Sequence, residues 1–498
     1  MIQKIINIFR IPELRNKLLF TIAMLCIYRI GFYIPLPGVN AKALIASAEQ
    51  QADSAFAALS NYLSLFSGGT LSQSTIFGLG IMPYISASII LQLLTTVVPS
   101  LEKLKKEGEP GMRKINEWTR YLTVGICIIQ SFWFITHVGS DETLLYASVK
   151  GGAYPLFIIM SVLVLTAGSV FLMWLGEQID HYGIGNGISL IITAGIVARF
   201  PDAITELVKK TSFTMGGSET GQIGPAGLAF VIFSFVFVTA GAILLTQAQR
   251  RITIQHAKHM RGRKVYGGQS QYLPLRVNHA GVMPIIFASS LMLFPVMLFR
   301  WAENATIPAS VIASTLPATT APVTNTGPWY HQMFGFLANN LNIGQYLYEI
   351  VYCGLIFFFS YFWNTVQFQP KEMANQLRDY GSFIKGLRPG KRTADYLENV
   401  MNRVTYVGAA FLCVIAVVPT LIGASLGLSY GITQFLGGTG LLITISVMLD
   451  LVNRIEANLV MRNYGGFLEN TGPSGPGSKI KRNRPVAGDG DAPRGLPT

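Results

Sequence analysis

A short, polar-edged segment that runs directly into a long apolar one constrains this chain more than any other feature. Residues 62–75, YLSLFSGGTLSQST, carry Ser64, Ser67, Thr70, Ser72, Gln73 and Ser74. As a helix they would reach about 21 Å, short of a hydrocarbon core of roughly 30 Å. Residues 76–98 follow with 23 mostly apolar positions and no charge, enough to span on their own. Backbone that stops at half depth survives only where protein or a water-filled cavity surrounds it. The pattern therefore implies a membrane protein with a cavity and something seated inside it.

Composition agrees. Half the residues are apolar and only 13% are charged, against about 25% charge in soluble domains. Ten apolar runs are long enough to cross: 18–34, 76–98, 121–137, 154–175, 184–200, 226–246, 280–298, 346–366, 404–422 and 435–452. The fifth has a glycine-rich start and is expected to close early, at Arg199 and Pro201. An even count puts both termini on one side. Of 38 Lys and Arg, 31 fall on that side, in the N-terminal stretch, 99–120, 247–279, 367–403 and beyond 451. By the positive-inside rule that face is cytoplasmic. The net charge of +13 is thus a one-sided field.

The first residues show no signal peptide, so the first run is expected to stay as an anchor. Cys26, Cys127, Cys353 and Cys413 all fall in apolar runs, where cysteine behaves as a small hydrophobe. Neither a disulfide framework nor a metal site is expected. Five runs precede the 201–227 loop and five follow it, as in an inverted repeat with a site between the halves. The expected division is 1–205, 206–456 and a flexible tail at 457–498, with the Gly-rich 201–227 loop as hinge and the turn at 177–183 between the fourth and fifth runs. Residues 300–343 read as a long irregular excursion on the outer face.

Seven stretches then carry a likeness: FSGG at 66–69, GIMPYISASII at 80–90, KKEGEPG at 105–111, MWLGEQI at 173–179, GIGNGIS at 183–189, LPLRVNHAGVMP at 273–284 and LRPGKRTADYL at 387–397. Together, in this order and over nearly the whole chain, they resemble the SecY family of bacterial protein-conducting channels. The resemblance implies an all-α integral membrane protein. Its ten transmembrane helices would form a clamshell of two five-helix halves, with a half-helix plug, an hourglass pore and a side opening to lipid.

Residue by residue, the resemblance implies a pore ring of Ile81, Ile85, Ile188, Ile192, Ile286 and Ile443. A narrow aliphatic ring sheds water and blocks hydrated ions, although each isoleucine taken alone also suits ordinary helix packing. The 62–75 segment matches the family's plug, with Leu63, Leu65, Phe66, Ser67, Gly68, Gly69 and Leu71 as its working residues and glycine permitting it to swing. A lateral gate is implied where the second and third spans meet the seventh and eighth, with Ser86, Ser88, Gln92 and Asn278 as polar groups. Hydrogen bonds of that kind contribute only about 0.6 kcal/mol on average inside a membrane bundle. For the two serines and Gln92, ordinary packing is an equal alternative.

Two basic loops complete the reading. Arg250, Arg251, Lys258, Arg261, Arg263 and Lys264 lie between the sixth and seventh runs, and Arg388, Lys391 and Arg392 between the eighth and ninth. On charge alone they suit topology signals or anionic lipid equally well. The resemblance makes them docking sites for the ribosome, through RNA phosphates, or for the SecA motor ATPase, with Arg388 foremost. It also implies the small subunits SecE and SecG, and signal sequences and preproteins as cargo. The glycines at 183, 185 and 187 lack the context of a dinucleotide site, and 386–392 is a broken phosphate loop. His256 and His259 would share a helix face with no further ligand nearby. With no cofactor and no nucleotide site, the chain is not expected to be an enzyme, and energy must come from a partner. The alternative is a secondary transporter of small solutes on an inverted repeat. Such a protein usually places an ionisable group inside the bundle, whereas Arg29, Asp450 and Arg454 lie towards span ends.

Overall fold

The computed structural model describes residues 11–40, 75–140, 154–211, 224–305 with short breaks at 257–282, 345–425 and 438–469, with isolated positions between them. The helices are α1 (Pro12–Gly31), α2 (Met82–Val97), α3 (Pro99–Lys106), α4 (Glu109–Ser140), α5 (Tyr154–Tyr182), α6 (Gly187–Ala198) and α7 (Phe200–Lys210). They continue with α8 (Pro225–Gln247), α9 (Met283–Ala305), α10 (Tyr346–Gln367), α11 (Pro370–Asp379), α12 (Lys391–Ser425) and α13 (Thr439–Glu469). Each of the ten apolar runs lies largely within one of them. Among the described residues, five helical stretches are long and apolar enough to cross a membrane. The α2 and α3 pair, bent by 98°, makes a sixth. The fold is that of an all-α membrane protein.

Local chemistry moves several boundaries. The second run does not begin as helix: Thr75 bridges Pro35, and a series of turns follows up to Ile81. Gly80, at φ +58°, takes the left-handed step that ends those turns. Pro83 then starts α2, because its missing N–H falls in the first turn, where the donor would be unsatisfied anyway. Pro99 ends α2 and turns the chain into α3, whose last turn carries Lys103, Lys105 and Lys106.

Other expectations are corrected too. The fifth run does close early, since α6 ends at Ala198 with Arg199 as its C-cap, but the chain resumes at once as helix. Pro201 sits in the first turn of α7, and together Gly187–Lys210 is long enough, and apolar enough over most of its length, to cross a membrane. The expected hinge and the boundary at 205 therefore include helix. The turn at 177–183 is mostly helix as well, since α5 reaches Tyr182. Arg300 lies within α9, and α13 runs to Glu469, well into the stretch read as tail.

The basic loops are the largest difference from the sequence reading, which gives them no strands. They contain β1 (Gln249–His256), β2 (His259–Arg261), β3 (Lys264–Tyr266), β4 (Ser270–Arg276) and β5 (Ser382–Ile384). β4, β1 and β5 form one antiparallel sheet in that order, and β2 pairs with β3. His256 and His259 thus lie on strands, not on one helix.

Packing follows two cores. The main one runs from Tyr28 and Phe32 in and beside α1, through α2, α4, α5 and α6, to α9, α10, α12 and α13. A satellite core of Ile252, Leu275, Phe368, Ile384, Leu397, Val400, Met401 and Val404 lies beneath the sheet. The early helices meet the late ones at two seams, α2 against α9 and α6 against α13.

Candidate functional site: an apolar waist and a basic ledge

The six isoleucines fall on, or at the start of, four helices that touch in sequence: α2 on α9, α9 on α13, and α13 on α6. Ile81 is the residue before α2 and is 1% exposed, and Ile85 follows one turn later. On α6, Ile188 and Ile192 are four apart and share a face. Ile286 is buried on α9 and Ile443 on α13. Five of the six belong to the main core, and the partly buried Ile188 packs against it.

Backbone chemistry holds these positions. Asn186 caps α6 by accepting from the Ser189 N–H at 3.0 Å. Asp180 Oδ1 accepts from the Gly187 N–H at 2.7 Å. A Cβ on Gly187 would collide with the Gly176 carbonyl, so glycine is what lets α5 and α6 approach so closely. Beside Ile286, the buried hydroxyls of Ser289 and Ser290 both donate to the Ile286 carbonyl, at 2.9 and 2.8 Å. Their polarity is satisfied along α9, which leaves the surrounding surface apolar.

The gate residues are only partly brought together. Ser86 is buried on α2, the helix that meets α9. Gln92 Nε2 donates to Ser88 Oγ at 3.1 Å, a bond along α2 and not across the seam. Asn278 and the plug residues Leu63, Leu65, Phe66, Ser67, Gly68, Gly69 and Leu71 lie outside the described residues.

The ledge gathers most of the basic positions. Arg250 and Arg251 stand exposed on β1, while Ile252 turns into the satellite core and Ile254, two positions on, is buried as well. Arg261 and Lys264 face each other in register on β2 and β3. Lys258 and Arg263 lie outside the described residues. Arg388 is exposed in a turn between Gly386 at φ +86° and Gly390 at φ +123°. Its carbonyl accepts from the buried Thr393 hydroxyl at 2.9 Å. Lys391 and Arg392 follow at the start of α12, whose first turn holds no acid. Cations there oppose the helix dipole by about 0.3–1 kcal/mol each, so the end of α12 favours an incoming anion.

Sequence reasoning missed three things here. It treated the two basic loops as separate, but β5 of the second pairs with β1 of the first. It set His256 aside as a possible metal ligand and missed its bridging place: Nδ1 lies 2.7 Å from Ser382 Oγ and Nε2 lies 3.1 Å from Gln271 Oε1. The alternation of Ile252 and Ile254 was the available strand signal. It also omitted Glu349, which is buried in the first turn of α10, one turn before Cys353. Among the described residues, no group of three or more His, Cys, Asp or Glu could hold a metal ion.

Comparison with known proteins gives a consistent result. A family model described as SecY matches residues 75–452. The protein translocase subunit SecY of Streptomyces galbus is 41% identical over 467 residues, covering 92% of this chain and 98% of that one. A solved structure described as that of a protein-conducting channel aligns with a TM-score of 0.55 at 18% identity, covering 90% of this chain and 93% of the other. Sec61 in the canine ribosome-channel complex aligns with a TM-score of 0.51 at 16% identity, with coverage of 90% and 93%. At such identities the solved structures speak for the fold.

Proposed function

The chain belongs to the SecY family and is a protein-conducting translocation channel, and on that premise we propose how its residues divide the work. Unfolded preproteins pass through the waist of Ile81, Ile85, Ile188, Ile192, Ile286 and Ile443. Such a ring must admit every side chain while leaking few ions. Aliphatic groups do so because they bind peptide weakly and shed water when the pore is empty. The observation that carries this reading is the contact sequence of α2, α9, α13 and α6, which joins the six isoleucines to one apolar core.

Residues 62–75 serve as the plug on the outer side. The α2 and α9 seam is the lateral gate, where a hydrophobic signal sequence parts the helices and membrane segments leave into lipid. Residues 1–205 and 206–456 act as the two halves of the clamshell. Both termini and the ledge face the cytoplasm, and the membrane is the cell's inner one.

On the ledge, Arg250, Arg251, Lys258, Arg261, Arg263, Lys264, Arg388, Lys391 and Arg392 dock the partner that drives transport. That partner is the ribosome, through RNA phosphates, or the SecA motor ATPase, with SecE and SecG completing the channel. The ribosome-bound state of Sec61, a protein of like fold, supports this use. The chain itself performs no covalent chemistry and draws energy from the docked partner.

The test is ion conductance in planar bilayers. Replacing Ile81, Ile188 and Ile286 together by serine should raise leak while translocation persists. Unchanged conductance would remove the ring assignment.

A further inference from the structure

We propose that His256 is a positioning residue that locks the Arg388 turn to the β1 and β4 hairpin, so that the cations of both loops meet a partner as one surface. The inference rests on the docking role given above to these loops. β5 spans only Ser382–Ile384 and pairs with β1 through Ile254↔Ile384, Gln255↔Phe383 and His256↔Ser382. So short a strand brings few ladder bonds. It must also hold together two loops that both carry exposed cations, Arg250 and Arg251 on one and Lys385, Arg388, Lys391 and Arg392 on the other. Like charges favour separation.

The His256 ring reaches both neighbouring strands. It contacts Gln271 on β4 at 3.1 Å and Ser382 on β5 at 2.7 Å. An amide oxygen only accepts, so Nε2 carries the proton towards Gln271 Oε1, and in the neutral ring this leaves Nδ1 to accept from the Ser382 hydroxyl. Ser382 is 3% exposed, so this hydroxyl relies on the protein for its partner. The link continues towards the cations. Ile384 is buried in the satellite core, the Leu387 N–H donates to the Ile384 carbonyl at 3.0 Å, and Thr393 holds the Arg388 carbonyl. A shift of β5 therefore displaces Arg388 relative to Arg250 and Arg251.

The experiment measures binding of vacant 70S ribosomes to the full chain, reconstituted with SecE and SecG in lipid nanodiscs, across a salt series. Loss of phosphate contacts lowers the slope of log affinity against log salt by about one per contact. A merely less stable protein would lower affinity and keep the slope. His256→Ala should weaken binding roughly threefold to tenfold and reduce the slope by about one to three. Ser382→Ala should do the same, and the double variant should add nothing further. His256→Gln, which keeps a donor and an acceptor, should recover most of the loss. A lower affinity at unchanged slope, or single effects that multiply in the double variant, would overturn the proposal. So would intact binding by His256→Ala where Arg388→Glu weakens it. If Arg388→Glu also leaves binding unchanged, the docking role itself fails and the lock falls with it. Should His256→Ala not fold, Ser382→Ala carries the same comparison.

Discussion

At the waist, Ile81, Ile85, Ile192, Ile286 and Ile443 are each less than a tenth exposed and sit among other apolar side chains. At the ledge, Arg250, Arg251, Arg388, Lys391 and Arg392 stand in solvent. Their frame is a three-stranded sheet, braced by His256, Ser382 and Thr393. On the roles proposed above, the contrast reflects what each region must do. Dispersion contacts are non-directional and individually weak, so helices joined by them can part around a passing chain and close again. Hydrogen-bonded registers fix distances, which a surface needs if it is to match phosphates at set spacing. One region can yield because its contacts are largely apolar, and the other holds its cations in place.

Four experiments can break or sharpen this contrast. The triple variant Ile81→Ser, Ile188→Ser and Ile286→Ser should raise resting ion conductance roughly tenfold or more, because polar groups rewet a hydrophobic constriction. Partner binding should not change, and a fall in binding would show that waist and ledge are not separable. Arg388→Glu should show the reverse pattern, with partner-driven transport reduced by about tenfold through lost phosphate contact and no added leak. Circular dichroism and thermal melting would confirm that this variant remains folded.

Leu397, fully buried in the satellite core, offers a structural route to the same end. Leu397→Ala should cost about 2–5 kcal/mol locally. The expected readout is faster proteolysis of the basic loops, with conductance near that of the parent. A leak equal to that of the waist variants would contradict the division. The smallest effect is expected from Asn186→Ala, which removes the α6 cap at a cost of about 1 kcal/mol. Because α6 carries Ile188 and Ile192, a modest rise in conductance should accompany a small loss of thermal stability. Unchanged conductance would show that the waist tolerates disorder at that helix end.

Much of the fold was legible in the sequence because a bilayer leaves a strong signature. Each span must be apolar for most of its length, and among the described residues each of the ten runs lies largely within a helix. Their ends were less legible. Gly80 and Pro83 delay α2 inside an uninterrupted apolar run, and hydropathy cannot register a change of backbone conformation. Pro201 misled in another sense: α6 ends before it, at Ala198, but a proline is tolerated in the first turn of a helix, so α7 begins there at once.

The ledge was harder still. β5 is three residues long and pairs with a strand more than a hundred positions earlier, a long-range contact that no local pattern contains. Thr393 and His256 carry no distinctive spacing, and their roles emerge only from the turn and sheet that surround them. Glu349 was lost inside a run whose other residues are overwhelmingly apolar. At the waist, the isoleucines were identified by likeness to a family. Their periodicity alone fits any buried helix face.

The most direct test of the central claim is protease protection of a signal-bearing preprotein. The protein would be added to vesicles containing this chain with SecE and SecG, with SecA and ATP supplied outside. The account predicts protection that requires both ATP and the signal sequence, and that is lost with Arg388→Glu. A preprotein that stays digestible in vesicles whose channel is folded and correctly oriented, with vacant ribosomes and nascent chains also failing to engage it, would contradict the account.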